Sequence, residues 1–340
     1  MSRAALVAVP PVSINFPPLN IALLTAELKK QGHAARAFDF NIDAFAAADS
    51  DGKSLWTLPR LFEWDDSAKF GNVVYPKYLA PYVPFWVRQI LDFKPEIVGF
   101  SITKNRLWEV LAQAIKSERP EIKIVIGGPI CSRVAWGHYE PGQWVDAVVS
   151  GEGERTLLDL VDDFAKNGKF DPVPGATILV DGSPAYGGPR PVIADLDSTE
   201  YPDFSDLDLA RYRELGEDGP RQELQIYTSR GCVARCHFCA DYKMWSAKYR
   251  QKSPKRVADE MECFSRRFGI KYFVFADLVF NGHPDWLVAL AKELEPRHLD
   301  IGFWAHARLD RRLTPELLKS LRNVGLSDVS PLSRPMWTGV

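Results

Sequence analysis

Three of the five cysteines in this 340-residue chain crowd into one short stretch. The segment reads Arg230-Gly231-Cys232-Val233-Ala234-Arg235-Cys236-His237-Phe238-Cys239, with spacing C-x3-C-x2-C. It follows an apolar run, Leu224–Thr228, that reads as a strand. Three thiolates at this spacing can hold three irons of a cubane and leave the fourth iron open. An open iron can chelate an amino and a carboxylate group together. S-adenosylmethionine offers that pair and brings its sulfonium beside the reductant. One electron then breaks a C–S bond and releases a 5'-deoxyadenosyl radical, chemistry that no side chain performs alone. The competing reading is a structural zinc, which needs four ligands in a closed tetrahedron. His237 stands between two of the cysteines, where joint coordination is strained, and Cys263 falls in the middle of an expected helix. Cys131 stands alone, and an odd cysteine count argues against a disulfide framework.

The elements that must position this loop fall into two blocks. The first alternates short apolar strands with amphipathic helices. Strands are expected at Ala4–Val9, Ala34–Phe40, Ile97–Ile102, Ile122–Ile126 and Val145–Val149, and helices at Leu19–Gln31, Tyr82–Phe93, Asn105–Glu118 and Glu154–Asn167. Such runs indicate a parallel sheet covered on both faces, a doubly wound α/β domain over residues 1–167. Residues 41–80 read as an irregular, aromatic-rich insertion, and the stretch from Trp56 to Trp86 as a packed surface loop, with substrate contact the competing reading. Residues 168–222, rich in Pro, Gly and Asp, read as a connector with a hairpin around Asp181-Gly182. The second block, 223–340, repeats strand and helix: strands at Leu224–Thr228, Tyr272–Ala276, Ile301–Ala305 and from Leu326, helices at Pro254–Phe268, Pro284–Leu294 and Thr314–Val324. Ser253 and Thr314 each precede a proline at the first helical position, a start signal. This βα repetition points to a barrel-type sheet.

Composition narrows the function classes. The formal net charge of -2 provides no basic field for nucleic acid. No apolar run is long enough to span a bilayer, and Met1–Phe16 has no cleavage-site pattern, so a cytoplasmic location is expected.

The cysteine motif, with an aromatic residue just before its third Cys, resembles the radical S-adenosylmethionine superfamily. The resemblance runs on through Lys248-Tyr249-Arg250-Gln251-Lys252-Ser253-Pro254. It implies that Cys232, Cys236 and Cys239 ligate a [4Fe-4S] cluster and that Phe238 packs near the adenine. It implies further that Asp277, at a strand end, meets the methionine amino group, although the family's Gly-Gly-Glu pattern is absent. Arg308, after the third strand, would meet the carboxylate or ribose; solvated surface is the competing reading for both residues.

In an open α/β sheet, ligands bind beyond the carboxyl ends of the strands. Those ends carry Ser101-Ile102-Thr103, Gly127-Gly128-Pro129 and Gly151-Glu152-Gly153-Glu154. Glycines there permit close approach of a bulky ligand; taken alone, tight turning with no ligand is the stronger reading of the same glycines. Their order resembles the cobalamin-binding domain found before many radical S-adenosylmethionine enzymes, over roughly residues 4–166. The resemblance implies that Ser101, Thr103, Gly127, Gly128, Gly151 and Glu152 surround the cofactor. The Asp-x-His-x-x-Gly motif that supplies a histidine to cobalt is absent, since the loop after the first strand reads Pro10-Pro11-Val12-Ser13-Ile14-Asn15-Phe16. Either cobalamin binds without a protein imidazole, or the domain has lost it. His33, at a helix end, is expected to face solvent. The methylthiotransferases, which place three cysteines in their first domain, are excluded because Cys131 is alone there.

The implied activity is cobalamin-dependent methyl transfer to an unactivated carbon or phosphorus of a small-molecule or peptide substrate. An external electron donor of flavodoxin or ferredoxin type would reduce the cluster. A radical cyclase or rearrangement enzyme is the alternative, and a cluster- or cobalamin-binding protein without turnover is the non-enzyme one. The family's partial barrel has six βα units. The segment from Pro331, with a second proline at Pro335, suits neither a central strand nor a helix, so an incomplete barrel with weak or no turnover is expected.

Overall fold

The computed structural model describes every residue except 104–105, 132–140, 213, 217–218, 235, 238, 240–247 and 332–340. It divides into two compact units. One comprises Met1–Val192 with Pro202–Arg211, the other Ile193–Tyr201 with residues 212–331.

The first unit is built on a seven-stranded sheet. Its strands are β1 (Arg3–Ala8), β2 (Ala34–Asp39), β3 (Ile97–Ser101), β4 (Lys123–Gly127), β5 (Ala147–Val149), β6 (Ala176–Val180) and β7 (Ser183–Tyr186). They lie in the order β2-β1-β3-β4-β5-β6-β7. β1 to β5 run parallel, and β6 and β7 add antiparallel. Side chains alternate between two cores, as the two-residue period of a strand requires. Val7, Val98, Phe100, Ile124 and Ile126 enter one core, while Leu6, Ile97, Val125, Ala147 and Val149 enter the other. Helices α1 (Leu19–Lys30) and α5 (Gly153–Asn167) supply buried leucines to the second core. α3 (Val83–Asp92) and α4 (Leu107–Glu118) supply Trp86, Ile90, Leu111 and Ile115 to the first.

Residues 41–80 correct the expectation of an irregular surface insertion. α2 (Phe40–Ala47) is capped by Asp39, whose carboxylate accepts the Asn41 and Ile42 amides. Short helical segments follow at Leu58–Trp64 and Phe70–Leu79. Trp64, Val74 and Leu79 are buried in the same core as Trp86, which stacks on Phe40 at 5.2 Å between ring centroids. The aromatics are therefore one wall of the first core. His33 is also corrected: it is buried, its Nδ1 accepts the Ser2 amide at 3.2 Å, and its Nε2 lies 3.0 Å from Asp162. The amide of the residue next to the N-terminus needed an acceptor, and the imidazole supplies it.

The second unit holds a four-stranded parallel sheet. β8 (Glu214–Gly216) and β9 (Gly219–Arg221) form a small antiparallel pair before it. The sheet strands are β10 (Glu223–Ile226), β13 (Tyr272–Phe275), β14 (Gly302–Ala307) and β15 (Leu326–Pro331), side by side in that order. Pro331, expected to fall outside any strand, ends β15, where a missing amide is tolerated. Two further short strands, β11 (Ser229–Arg230) and β12 (Arg250–Gln251), pair with each other. Helices α6 (Pro254–Phe268), α7 (Pro284–Leu294) and α8 (Pro315–Asn323) are the crossovers. Ser253 and Thr314 cap α6 and α8 through their hydroxyls, as their positions before proline foretold.

Residues 168–222, expected to be a connector with a hairpin, are divided between the units. The hairpin turns at Asp181-Gly182, both at positive φ, and extends the first sheet. Ile193–Tyr201 belongs with the second unit, where Asp197 accepts the Ser253 amide and the Thr199 carbonyl accepts from Arg256.

Candidate functional site

The cysteine loop leaves the carboxyl end of β10, where a parallel barrel strand delivers chemistry. Gly231, at φ +79, turns the chain out of β11 into Cys232. Cys232, Cys236 and Cys239 are half-buried thiols outside any disulfide. The Ala234 amide lies 3.4 Å from Cys232 Sγ, and the Cys239 amide donates to the Cys236 carbonyl at 3.1 Å. Among the described residues, no group of three or more His, Cys, Asp or Glu side chains is gathered to hold a metal ion. Ligands of one zinc converge on one point, whereas a cubane takes each thiolate on a different iron. Phe238 lies outside the described residues.

The loop is closed at its base. β12 returns to pair with β11, Ser229 opposite Gln251 and Arg230 opposite Arg250. The Lys252 amide donates to the Thr228 carbonyl at 2.8 Å. The Lys252 ammonium is wholly buried, 2.6 Å from Glu260 on α6 and 3.7 Å from the centre of the Tyr227 ring. A buried ion pair is retained only with good geometry and further partners, and the aromatic face is such a partner.

Asp277 is fully buried just past the end of β13. Its Oδ1 accepts the amides of Thr228 and Ser229, each at 2.7 Å, and its Oδ2 accepts the Thr228 hydroxyl. The surface reading of Asp277 fails on its burial. Withdrawal from water raises its carboxyl to about 6, against the pull of the three donors and of Lys252. Tyr249 donates its hydroxyl to the Val279 carbonyl at 3.2 Å, and burial raises its phenol above the usual range. A Cβ on Gly282 would stand 2.4 Å from the Tyr249 ring, so that ring fixes residue 282 as glycine.

Arg308 is exposed, one residue beyond β14. Asn281, which sequence reasoning missed, is fully buried and holds the Arg308 backbone at both ends. It accepts the Arg308 amide at 2.9 Å and donates to the Arg308 carbonyl at 2.8 Å. Lys252, Glu260 and Tyr249 were likewise unassigned, because no spacing rule marks a residue buried by tertiary contact. The strand register divides the sheet into two faces. Leu224, Phe273 and Phe303 are buried in line on one, while Gln225, Val274 and Trp304 line up on the other with His306 two residues on. Trp304 and His306 are half-exposed, and burial lowers the pKa of the His306 imidazole.

At the carboxyl edge of the first sheet, Ser101 ends β3 and accepts from Asn20 Nδ2 at 2.6 Å. Thr103 follows, half-buried. Gly128 sits at φ +114, and a Cβ there would lie 2.5 Å from the Ile102 carbonyl, so the chain's own backbone requires this glycine. Gly127 is different: its Cβ would meet only the Val149 side chain and carbonyl, at 3.5 Å or more. Gly151 has φ +84 with open space at its Cβ position, and Glu152 stands at the N-terminal cap position of α5. The loop after β1 is fastened by the fully buried Asn41. Its Oδ1 accepts the Val12 amide and its Nδ2 donates to the Ser13 carbonyl.

Two family models match the chain: the B12 binding domain over residues 81–161 and the radical SAM superfamily over residues 226–331. An uncharacterised methyltransferase of Pyrococcus horikoshii is 27% identical, the match covering 71% of this chain and 52% of that protein. The anaerobic magnesium-protoporphyrin IX monomethyl ester cyclase of Rubrivivax gelatinosus is 30% identical over 71% of this chain and 44% of its own length. The hopanoid C-3 methylase of Methylococcus capsulatus is 26% identical, over 74% and 41%. The chain thus spans about half the length of the curated relatives it matches. Among solved structures, the radical S-adenosylmethionine methyltransferase TsrM of Kitasatospora setae superposes with a TM-score of 0.67 at 18% identity, covering 98% of this chain and 60% of that one. The cobalamin-dependent radical enzyme OxsB gives 0.66 at 20% identity, covering 97% and 44%. Both share the fold.

Proposed function

We propose that this chain, a member of the radical SAM superfamily with a B12 binding domain ahead of its radical SAM domain, is the catalytic core of a cobalamin-dependent methyltransferase. The observation that carries the reading is the C-x3-C-x2-C loop at the carboxyl end of the first strand of a parallel sheet, with three thiols in no disulfide. Cys232, Cys236 and Cys239 would hold a [4Fe-4S] cluster, leaving one iron for the amino and carboxylate groups of S-adenosylmethionine. Cobalamin would lie over the carboxyl ends of β3 to β5, beside Ser101, Thr103, Gly127, Gly128, Gly151 and Glu152. When bound, the cluster supplies the electron that cleaves S-adenosylmethionine to the 5'-deoxyadenosyl radical, and cobalamin supplies a transferable methyl group. This chain's own residues orient these groups. The β11–β12 pair and Asp277 hold the cysteine loop, and Asn281 holds the strand end that carries Arg308. Phe238 and Arg308 would contact the adenosyl and methionine parts. The polar face carrying Gln225, Trp304 and His306 would receive a small-molecule or peptide substrate.

The reduction needs an outside electron donor of flavodoxin or ferredoxin type, and three thiols in no disulfide suit a reducing cytoplasm. A net charge of -2 gives no reason to expect nucleic acid as partner. Among the described residues, no helix is long and apolar enough to cross a membrane.

The relative named as a cyclase keeps a second reading open, a radical cyclase in which no methyl group reaches product. Anaerobic reconstitution followed by reduction decides between the readings. The methyltransferase reading expects about four irons per chain, 5'-deoxyadenosine from S-adenosylmethionine, and isotope label from its methyl group in product. Alanine at Cys232, Cys236 or Cys239 should abolish the iron, whereas alanine at Cys131 or Cys263 should not. One zinc per chain with no iron uptake overturns the cluster; 5'-deoxyadenosine without methyl transfer points to the cyclase.

A further inference from the structure

The geometry points to Asp277 as a positioning residue that fastens the base of the cysteine loop from within, in place of the methionine-contacting role that its strand-end position suggests. The inference rests on the cluster assignment above and deepens it. Both carboxylate oxygens are already engaged, Oδ1 by the Thr228 and Ser229 amides and Oδ2 by the Thr228 hydroxyl, and the residue has no exposed surface. A carboxylate that contacts an ammonium must present an oxygen to it, and Asp277 has no exposed surface with which to do so. Instead the group faces Thr228, two residues past the end of β10, and Ser229, the first residue of β11, four and three positions before Cys232.

The clamp has a second half. Ser229 and Arg230 pair with Gln251 and Arg250, and the Lys252 amide is bonded to the Thr228 carbonyl. Lys252 is anchored by buried Glu260, and its carbonyl accepts the Trp286 indole N–H at 2.7 Å. Thr228 is thus gripped on both sides: its amide and hydroxyl by Asp277, its carbonyl by Lys252. The two ends of the loop are tied down by these bonds, Ser229 to Asp277 just past β13 and Lys252 to α6 and α7. A preformed base lowers the entropy lost when three thiolates must be brought together.

The two roles differ in what an asparagine does. In Asp277→Asn the side-chain carbonyl can accept both amides, and the side-chain NH2 can donate to the Thr228 hydroxyl, so the clamp stays and the charge goes. Asp277→Ala removes both. Hydrogen exchange on the iron-free protein reads the clamp without any cofactor. The Thr228 and Ser229 amides should exchange roughly tenfold faster or more in Asp277→Ala, the loss of a charge-assisted bond, and near the wild-type rate in Asp277→Asn. After anaerobic reconstitution, Asp277→Asn should hold as much iron as wild type and bind S-adenosylmethionine in equilibrium dialysis within about threefold of it, a change under 1 kcal/mol. Asp277→Ala should lose most of its iron. If Asp277→Asn keeps its iron and loses S-adenosylmethionine binding by tenfold or more, the carboxylate contacts the ligand and the clamp is overturned. Unchanged exchange and iron in Asp277→Ala overturns it too. Should Asp277→Ala fail to fold, the asparagine variant still separates the two roles. Failure of wild type to take up iron would count against the cluster assignment and leave the exchange result standing.

Discussion

Burial and hydrogen bonding pull the Asp277 carboxyl in opposite directions, and burial wins, raising it to about 6. The unfolded chain releases this proton nearer the ordinary value of 3.8. Between those two values the folded state holds the proton and the unfolded state does not, so Asp277 costs the fold stability as pH rises through that window. A shift of ~2 units corresponds to roughly 3 kcal/mol. Denaturant unfolding of the iron-free protein should therefore show Asp277→Asn gaining on wild type from about pH 4 to about 6, with a constant difference above. Equal pH slopes for the two proteins would contradict this. The spacing of the three cysteines is readable at this scale because it is a local property of sequence. Asp277 was legible as a position and not as a role, since its partners Thr228 and Ser229 lie 49 and 48 residues away. Asn281 and Asn41 left no local signal: a buried polar residue declares itself only once its partners are folded around it.

The strands and crossover helices were readable because each carries its period. β3, with four of five residues buried, is a near-continuous apolar run, and α5 and α6 show clean amphipathic stripes. The stretch 41–80 was misread because 3-10 and π segments and internal prolines break the 3.6-residue period, although the aromatics are core. Trp86→Ala should accordingly cost the first unit about 3–5 kcal/mol in denaturant unfolding, the usual loss for a buried tryptophan; a change below about 1 kcal/mol would return these aromatics to the surface. The glycines at the sheet's carboxyl edge divide by cause. Gly128→Ala should destabilise by about 1–2 kcal/mol or more, since it meets both a positive φ and the Ile102 carbonyl. Gly127→Ala meets only ordinary contact, so stability should hold within about 0.5 kcal/mol. If the nucleotide tail passes Gly127, that variant alone should bind cobalamin more weakly at unchanged stability. Unchanged cobalamin affinity would remove Gly127 from the site.

Across the whole molecule, the chain joins an open α/β sheet to a four-stranded parallel sheet of barrel type, and the candidate residues of each lie at or beyond the carboxyl ends of its strands. The loop Pro10–Phe16 has no histidine, and His33 is bonded to Ser2 and Asp162. Cobalamin bound here in its cob(II) form should therefore show no nitrogen superhyperfine splitting from a protein imidazole; clear splitting would refute this. The central claim is that three cysteines hold a [4Fe-4S] cluster with one iron left for S-adenosylmethionine. The most direct measurement is the electron paramagnetic resonance spectrum of the anaerobically reconstituted, dithionite-reduced protein, recorded with and without S-adenosylmethionine. The account predicts a reduced-cluster signal that changes on adding S-adenosylmethionine and disappears in Cys232→Ala, Cys236→Ala and Cys239→Ala. A silent protein carrying zinc, or a cluster signal indifferent to S-adenosylmethionine, would contradict it.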